Sequence, residues 1–334
     1  MDSAAQPSAQ SGLETNDASQ QSPLTWRVAA YITAYNDAEA FNKCLMGIRL
    51  QSYAVEFILV VDNSLMPLPL TPESEADPRL KIWHHPENIG ISGGLEQAAQ
   101  FATQAKVDFL WLFDQDSYPT TDCLEKLLLN YEALRQQGEA VGIIAPTAMD
   151  ARTNEIVRPG KFLGDRFKGF PPTSSTEPYD CDVVITSGSL LWLKTLETVA
   201  LPDARLFIDG IDLDHGIRLK RAGYRNLVVP QALMYHRFGN PIPIRVLGKA
   251  KNLQLYPPLR HYYICRNHTY LELQHAQGVA RLTCLLHRIR YLLVSMAYIG
   301  MFDRQSSWPI KLKKWFACWL GTFYGLIGQL DHRW

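Results

Sequence analysis

Two aspartates stand two positions apart, directly after an apolar run that is typical of a buried strand. The run covers residues 109–113, and Asp114-Gln115-Asp116 follows it. Divalent cations such as Mg²⁺ and Mn²⁺ prefer oxygen ligands, and Mg²⁺ commonly binds one or two carboxylates together with substrate phosphates. Two acids placed at the end of a core strand therefore predict a divalent-metal site.

Three further acids lie close together at Asp209, Asp212 and Asp214. A helix is predicted over 209–222, and in it Asp209 and Asp212 share a face because they are three residues apart. The acids fit two hypotheses. They could form a charged first turn that complements the helix dipole, or one of them could act as a general base. The presence of the Asp114-Gln115-Asp116 motif in the same chain favours the second hypothesis.

Other polar residues also follow predicted strands. Asp62 ends the apolar run 55–61, where a carboxylate either accepts a hydrogen bond from a nucleobase or caps a turn. Asn88 and Gly90 precede a helix predicted at 95–104, and such a turn either binds phosphate or simply starts the helix. His236 follows the run 232–235, and it is either a structural histidine or a third metal ligand beside the acids.

The elements that hold these residues alternate between strand and helix. Strands are predicted at 28–33, 55–61, 80–84, 109–113 and 141–146, and helices at 38–51, 95–104 and 122–137. This alternation predicts a mostly parallel sheet flanked by helices. The polar residues stand where strands end, which is where open α/β sheets bind ligands.

Charge is distributed unevenly along the 334 residues, although the formal net charge is zero. Residues 241–334 hold 13 Lys+Arg and three acids, whereas the first 240 residues hold 20 and 30. A basic C-terminal part indicates an anionic partner, which could be a membrane surface, a phosphate-bearing substrate or nucleic acid. The apolar density of this part and the acidic body disfavour nucleic acid. Six scattered cysteines without a CxxC pair predict buried, reduced thiols in the cytosol.

Two strongly apolar stretches lie at 282–299 and 315–330. The first has a histidine and two arginines in its middle, and the second has about 16 uncharged residues against the ~20 that a membrane span needs. Three lysines within 311–314 directly precede a group of aromatic residues. This pattern predicts a helix that lies in the membrane interface, with lysines on the headgroups. Packing against the rest of the chain is the alternative, and the two are compatible.

Taken in order, the motifs resemble those of the family-2 glycosyltransferases with the GT-A fold, and in particular their rhamnosyltransferase branch. The resemblance is carried by Tyr35-Asn36, Val61-Asp62-Asn63-Ser64, Asn88-Ile89-Gly90, Phe113-Asp114-Gln115-Asp116-Ser117, Thr186-Ser187-Gly188, the acids of 207–218, Tyr235-His236, and the block 258–263 with Arg266-Asn267. This chain departs from the family pattern at Ile211, where many relatives have a glutamate directly before the base. It also departs in the Pro-rich loop after Ser64 and at Gly94.

Residues 1–24 are rich in Ser, Gln and Ala, which predicts a disordered tail. The resemblance implies a GT-A glycosyltransferase domain at 25–240, and charge and apolar pattern predict a helical, basic, acceptor- and membrane-facing region at 241–334. The resemblance also implies a role for each matching residue. Mg²⁺ or Mn²⁺ would be held by Asp114, Asp116 and His236. The nucleotide sugar would be bound by Thr33, Tyr35, Asp62, Asn88, Gly90, Asp114, Ser187 and Gly188. Asp212 would deprotonate the acceptor hydroxyl, and Asp209 would assist it by orienting the sugar or the helix.

The implied reaction is inverting, metal-dependent transfer of a sugar from a nucleoside diphosphate. Family resemblance favours L-rhamnose from dTDP-rhamnose. The acceptor is expected to be a glycan on a polyprenyl diphosphate, in assembly of a cell-surface polysaccharide such as O-antigen. The enzyme is expected in the cytoplasm, held peripherally on the anionic inner face of the cell membrane.

Two alternatives compete with a glycosyltransferase. A nucleotidylyltransferase would have a Gly-rich, basic loop after the first strand, where this chain has Ala34-Tyr35-Asn36-Asp37. A non-catalytic nucleotide-sugar-binding subunit of a membrane glycan assembly is disfavoured because both metal acids, the Asp209/Asp212 pair and His236 are retained.

Overall fold

The computed structural model describes residues 24–173, 175–239, 241–246 and 248–334. The strands are β1 (Val28–Ala34), β2 (Phe57–Asp62), β3 (Leu80–His84), β4 (Phe109–Asp114), β5 (Ser117–Pro119), β6 (Val141–Asp150), β7 (Gly160–Phe162), β8 (Phe167–Gly169), β9 (Tyr179–Cys181), β10 (Leu190–Trp192), β11 (Arg225–His236), β12 (Pro241–Val246) and β13 (Lys249–Gln254). The α-helices are α1 (Ala38–Arg49), α2 (Pro72–Glu75), α3 (Gly90–Gln104), α4 (Cys123–Gln136), α5 (Ile211–Arg221), α6 (Pro258–His275), α7 (Ala280–Phe302) and α8 (Trp308–Leu326).

The central sheet has the strand order β3-β2-β1-β4-β10-β6-β11-β5, and β9 pairs with β11. Strands β3, β2, β1 and β4 are parallel neighbours, and β6 is parallel to β11. The strands β10, β5 and β9 run antiparallel to their neighbours. The sheet is therefore mostly parallel, as the sequence predicts.

Register aligns the ends of three parallel strands. Thr33 of β1 lies opposite both Val61 of β2 and Asp114 of β4, and Ala34 lies opposite Asp62. Because parallel strands end at one edge of a sheet, the polar residues that follow them share that edge.

Helices cover both faces of the sheet and bury the apolar strands. On one face, α1 begins at its N-cap Asp37, whose carboxylate accepts a hydrogen bond from the Ala40 N–H at 3.0 Å. Its buried side chains Phe41, Cys44, Leu45 and Ile48 recur at helical spacing. On the other face, α3 and α5 pack over a second core that contains Leu95 and Leu219. All six cysteines are free and buried, as predicted.

Several predicted boundaries are wrong. Helix α3 begins at Gly90 rather than at 95. Residues 160–181 contain the β7–β8 hairpin and β9, and a short 3₁₀ helix, Leu193–Glu197, directly follows β10. The region after 240 opens with the β12–β13 hairpin, so its helices begin only at Pro258. Residues 1–23 of the predicted tail lie outside the described residues, whereas Leu24 packs on the core.

The helix α6 joins the C-terminal helices to the sheet domain. Its Arg266 is fully buried and donates hydrogen bonds to the carbonyl oxygens of Leu330, His332 and Arg205. Helix α8 packs closely on α6, because a Cβ atom at Gly325 would overlap the Arg266 carbonyl oxygen. The division of the chain at 240/241 stays a prediction.

We expect Arg266→Met to lower the free energy of unfolding by roughly 3 kcal/mol or more, because several buried carbonyl groups would lose their donor. Urea denaturation followed by circular dichroism measures this change. The control is Arg290→Met, which truncates an exposed arginine of α7 and should cost less than about 0.5 kcal/mol. Equal losses in the two variants would contradict the anchoring role of Arg266.

Candidate active site

Three potential metal ligands meet at the carboxyl end of β4. The Nε2 atom of His236 lies 3.1 Å from Oδ1 of Asp116 and 4.0 Å from Oδ2 of Asp114. One ligand atom from each residue falls within 4.8 Å of the other two. His236 lies beside the two acids because β11 pairs with β5, which places His236 opposite Ser117, the residue after Asp116.

The turn that carries the two acids is held on both sides. The side chain of Gln115 accepts a hydrogen bond from the Tyr35 N–H at 2.7 Å and donates one to the Tyr35 carbonyl oxygen at 2.8 Å. The Asp114 N–H donates to Oγ of Ser187 at 2.9 Å, and Ser187 also bonds to Ser117 Oγ at 2.6 Å. The carboxylates are thus fixed through the end of β1 and the turn at 187.

Burial and charge both act on this cluster. Desolvation raises the pKa of the Asp114 carboxyl above its usual range, although the neighbouring His236 opposes the shift. Burial lowers the pKa of His236, but its hydrogen bond to Asp116 and the charge of Asp114 outweigh this, so the pKa is raised overall. Two carboxylates and one imidazole form a donor set that suits Mg²⁺ or Mn²⁺. The residues present therefore fit the predicted divalent cation.

Asp209 lies before the helix α5, not within it, so the prediction that Asp209 and Asp212 share a helix face is wrong. Helix α5 begins at Ile211, and Asp209 has a φ of 65°, outside the helical range. The side chain of Asn267 from α6 donates to the Leu206, Ile208 and Asp209 carbonyl oxygens, each at 2.8 Å. A tertiary contact thus overrides the local preference for helix.

Asp209 forms an ion pair with Arg260, the third residue of α6. The Nη2 and Nε atoms of Arg260 lie 3.1 Å and 3.2 Å from the two Asp209 oxygens. The Cζ atom of Arg260 also lies 4.6 Å from the centre of the Tyr256 ring. Desolvation raises the pKa of Asp209, and Arg260 opposes this shift. The guanidinium is thereby held beside the acids of the site.

Asp212 stands in the first turn of α5. Desolvation raises the pKa of its carboxyl to about 6, and the negative charge of Asp209 adds to the shift. The Leu213 N–H donates a hydrogen bond to Oδ1 of Asp212 at 2.9 Å and opposes it. A carboxylate with a pKa near 6 is more basic than an ordinary aspartate and is ionised at neutral pH.

These acids face one cavity of about 480 Å³. The predicted residues in its lining are Asp114, Asp116, Asp209, Asp212 and His236. Sequence reasoning gave no role to several other lining residues, which include Arg237, Phe238, Tyr256, Arg260 and His268. The Phe238 ring stacks on His236 with centroids 4.1 Å apart. A signal for Arg260 was present, since it stands in the 258–263 block, but its pairing with Asp209 depends on the fold.

The remaining predicted donor-binding residues are not in that lining, as far as the described residues show. The carboxylate of Asp62 is 2% exposed and accepts hydrogen bonds from the Ser64 and Leu68 N–H groups. Asn88 accepts one from the Gly90 N–H, and Gly90 has a φ of 75° and no room for a Cβ beside Phe207. These contacts shape the loops after β2 and β3.

Four other predicted donor-binding residues lie near the end of β1 or at the turn before β10. Thr33 is buried in β1, while the side chain of Tyr35 is 54% exposed. Ser187 and Gly188 are buried, and the Gly188 N–H donates to the Leu112 carbonyl oxygen. Their contacts position the metal acids, and their roles toward a nucleotide sugar stay predictions.

Comparison with known proteins supports the family resemblance. Residues 30–183, a little under half of the chain, match the model of "Glycosyl transferase family 2". Over these residues the chain is similar to family-2 glycosyltransferases, and the resemblance stated from its motifs is confirmed.

Individual proteins of known name show which glycosyltransferases the chain resembles. The chain is 28% identical over 183 residues to "dTDP-rhamnosyl transferase RfbF" of Shigella flexneri, which covers 54% of this chain and 56% of the relative. It is 22% identical over 260 residues to "Galactofuranosyltransferase GlfT1" of Mycolicibacterium smegmatis, which covers 73% of this chain and 82% of the relative. The crystal structure of "GalNAc-T7 with UDP, GalNAc and Mn2+" has a TM-score of 0.53 and 14% identity over 75% of this chain and 48% of that one.

The match to RfbF spans just over half of that protein, and the match to GalNAc-T7 about half. At 14% identity the structural likeness bears on the fold alone, and it agrees with the predicted GT-A-type architecture.

We expect Asp116→Asn to weaken Mn²⁺ binding by at least tenfold, because it removes one charged ligand from a three-residue donor set. Isothermal titration calorimetry with MnCl₂ alone measures the affinity. The matched control is Asp108→Asn, which neutralises the acid just before the other end of β4 and should leave Mn²⁺ affinity unchanged. Unchanged affinity in Asp116→Asn would contradict a metal site at these residues.

Proposed function

We propose that this protein is an inverting, divalent-metal-dependent glycosyltransferase that transfers a sugar from a nucleoside diphosphate to an acceptor hydroxyl. The observation that carries the proposal is the shared cavity, in which the Asp114, Asp116 and His236 cluster and the Asp212 carboxylate face the same space. The relatives named for rhamnosyl and galactofuranosyl transfer and the fold neighbour with bound UDP and Mn²⁺ support the same class of reaction.

The donor diphosphate would bind at the metal cluster. A bound Mg²⁺ or Mn²⁺ supplies positive charge that stabilises the departing nucleoside diphosphate. Asp114, Asp116 and His236 would hold the ion, and the Gln115 and Ser187 contacts keep the two carboxylates in place before it binds.

Asp212 would accept the proton of the attacking hydroxyl. Its carboxyl has a pKa of about 6, so it is ionised at neutral pH and yet basic enough to assist deprotonation. Attack on the sugar carbon opposite the leaving diphosphate forms the new glycosidic bond, breaks the bond to the diphosphate and inverts the configuration. This single-step transfer removes one proton, that of the acceptor hydroxyl, so Asp212 alone is sufficient as the general base.

Arg260 would provide a second positive charge for the diphosphate, and Asp209 would act as its positioning residue. The bidentate pair fixes the guanidinium in the cavity lining, and Arg260 electrostatically lowers the pKa of Asp114 there. Guanidinium groups bind phosphate oxygens through two parallel hydrogen bonds, which suits a diphosphate. This assigns Asp209 an indirect part in the reaction.

For the substrates, we propose L-rhamnose from dTDP-rhamnose as donor, because the RfbF relative carries that name. A galactofuranose donor is the second candidate, because the match to GlfT1 covers most of that relative. The acceptor we propose is a glycan on a polyprenyl diphosphate at the cytoplasmic face of the membrane, in assembly of a surface polysaccharide. The remaining predicted residues, Thr33, Tyr35, Asp62, Asn88, Gly90, Ser187 and Gly188, would shape the donor site.

A donor screen for nucleoside-diphosphate release tests this proposal. We expect turnover with dTDP-rhamnose in the presence of Mn²⁺ or Mg²⁺ and a lipid-linked acceptor, and its loss with EDTA. Asp212→Asn should lower kcat by about 10²–10⁴-fold, because the base is removed. Donor binding without turnover of any donor would instead support the non-catalytic subunit.

The same assay has a pH dependence. Below pH 6 the Asp212 carboxyl increasingly carries a proton and cannot accept another, so kcat/KM should fall about tenfold per pH unit there and reach a plateau above about pH 7. A profile that stays flat between pH 5 and 7 would contradict Asp212 as the base.

Arg260→Gln should weaken binding of the nucleoside diphosphate about tenfold to a hundredfold, because a charge-assisted hydrogen-bond pair is lost. Affinity for the free nucleoside should not change. Asp209→Asn should have a smaller effect of the same kind, and Arg260→Lys should restore part of the affinity. The control is Arg245→Gln, an exposed arginine of β12. Equal loss of nucleoside and nucleoside-diphosphate affinity in Arg260→Gln would show a structural role only.

A further inference from the structure

The helices α7 and α8 expose long apolar stripes. On α7 the stripe consists of Leu282, Leu286, Ile289 and Leu293, which are 42–61% exposed. On α8 it consists of Leu312, Phe316, Trp319 and Phe323, continued by Ile327 directly after the helix, and these are 44–56% exposed. Each stripe repeats every three or four residues, so it lies along one side of its helix. We call these nine residues the apolar face.

Aromatic rings on α8 reinforce the apolar face. Trp319 stacks on Phe316 with ring centroids 6.2 Å apart and on Phe323 with centroids 5.9 Å apart. The three rings stack in a row along the helix and remain about half exposed. Contiguous exposed apolar patches on soluble proteins mark binding surfaces.

The opposite side of each helix is sealed against α6. The guanidinium of Arg288 on α7 is buried, and it donates to Thr269 at 3.1 Å and to Glu272 at 3.4 Å. On α8, Gly321 and Gly325 lie against α6, since a Cβ atom at these positions would overlap the carbonyl oxygens of Tyr262 and Arg266. Lys314 on the same helix is buried in an ion pair with Asp303, which directly follows α7, with Nζ and Oδ2 2.7 Å apart. The apolar face therefore points away from α6, and polar contacts fix its direction.

The buried contacts of Arg288 also bear on whether α7 lies in the plane of a membrane or crosses it. By length and composition α7 could span a membrane, and only 17% of its most apolar window is buried. A span would surround α7 with lipid and expose the Arg288–Glu272 pair to hydrocarbon, which is costly. An orientation in the membrane plane keeps that pair against α6 and places the apolar stripe in the acyl boundary.

The charge around the apolar face is positive. Between residues 280 and 326 the one acid is Asp303, which is buried in its ion pair with Lys314. The side chains of Arg281, Arg290, Arg304 and Lys313 are exposed there. A protein partner could present any charge, whereas a bilayer with acidic headgroups combines negative charge with an apolar interior next to it.

We propose that the apolar face of α7 and α8 docks in the plane of an anionic lipid bilayer, with the exposed arginines and Lys313 on the headgroups. This deepens the proposed function, since it gives a physical basis for reaching an acceptor carried by a lipid. Helix α6 links the two surfaces, because Arg260 and His268 line the cavity while the α7 and α8 contacts lie elsewhere on the same helix.

The test is cosedimentation of the purified full chain with phosphatidylcholine vesicles, with and without phosphatidylglycerol. We expect binding that requires phosphatidylglycerol and is reversed by high salt. Lys313→Glu should weaken it about tenfold or more, because each basic residue near an anionic surface contributes about 1 kcal/mol. The matched control Lys194→Glu reverses an exposed lysine of the 3₁₀ helix Leu193–Glu197 and should bind like the wild type.

A second pair of variants tests the apolar contribution. Trp319→Ser should also weaken binding about tenfold, as expected when one large apolar side chain is lost from the interface. Its control is Leu50→Ser, at an exposed leucine after α1, which should not change binding. Blue-shifted tryptophan fluorescence with vesicles should accompany binding in the wild type and diminish in Trp319→Ser.

Four results would overturn the docking proposal. They are equal binding to vesicles with and without phosphatidylglycerol, equal effects of Lys313→Glu and Lys194→Glu, resistance of the bound protein to alkaline extraction, and a stable dimer in solution that buries the apolar face. Nucleoside-diphosphate release measured without vesicles, with the lipid-linked acceptor dissolved in detergent, reports the active site separately. Lys313→Glu should retain this activity, so failed docking and failed catalysis give different results.

Discussion

Four carboxylates face one cavity, and much of the surrounding structure serves to make this possible. Asp114, Asp116, Asp209 and Asp212 all contribute to the lining, where desolvation raises the pKa of three of them. Mutual repulsion and desolvation both favour neutral acids. Two groups within the protein oppose this tendency. They are the guanidinium of Arg260, which is paired with Asp209, and His236, which is hydrogen-bonded to Asp116. A divalent cation held by the two acids and a neutral His236 would supply further positive charge.

His236 and Arg260 come from distant parts of the chain. His236 is delivered by the pairing of β11 with β5, and Arg260 by the first turn of α6. Helix α6 is in turn fixed by Arg266 and Asn267, whose side chains bind carbonyl groups of the loop before α5 and of the C-terminal segment. The C-terminal helices therefore belong to the construction of the active site and do not merely follow it.

The loop before α5 contains backbone strain that accompanies this arrangement of the acids. Phe207 and Asp209 both have positive φ angles, which are unfavourable for residues with a Cβ. Asn267 compensates by bonding three carbonyl groups of the loop, and the Phe207 carbonyl accepts a hydrogen bond from the Ile91 N–H at the start of α3. As a result, the Asp209 carboxylate pairs with Arg260 while Asp212 lies in the first turn of α5. Strain of this kind is typical of functional sites.

The sequence alone determined the mostly parallel sheet, the positions of Asp114 and Asp116 at a strand end, and the family resemblance. It could do so because continuous apolar runs report buried parallel strands and because these motifs are local in the chain. The tertiary structure decided which side chains meet. Asp209 lies outside the predicted helix because Asn267 of α6 binds its carbonyl group. Arg260 contributes to the site because it pairs with Asp209. Asp62 and Ser187 bind backbone N–H groups and a hydroxyl group within the protein. These contacts join residues more than fifty positions apart, apart from the short Asp62 turn, and periodicity along the chain carries no information about such pairs.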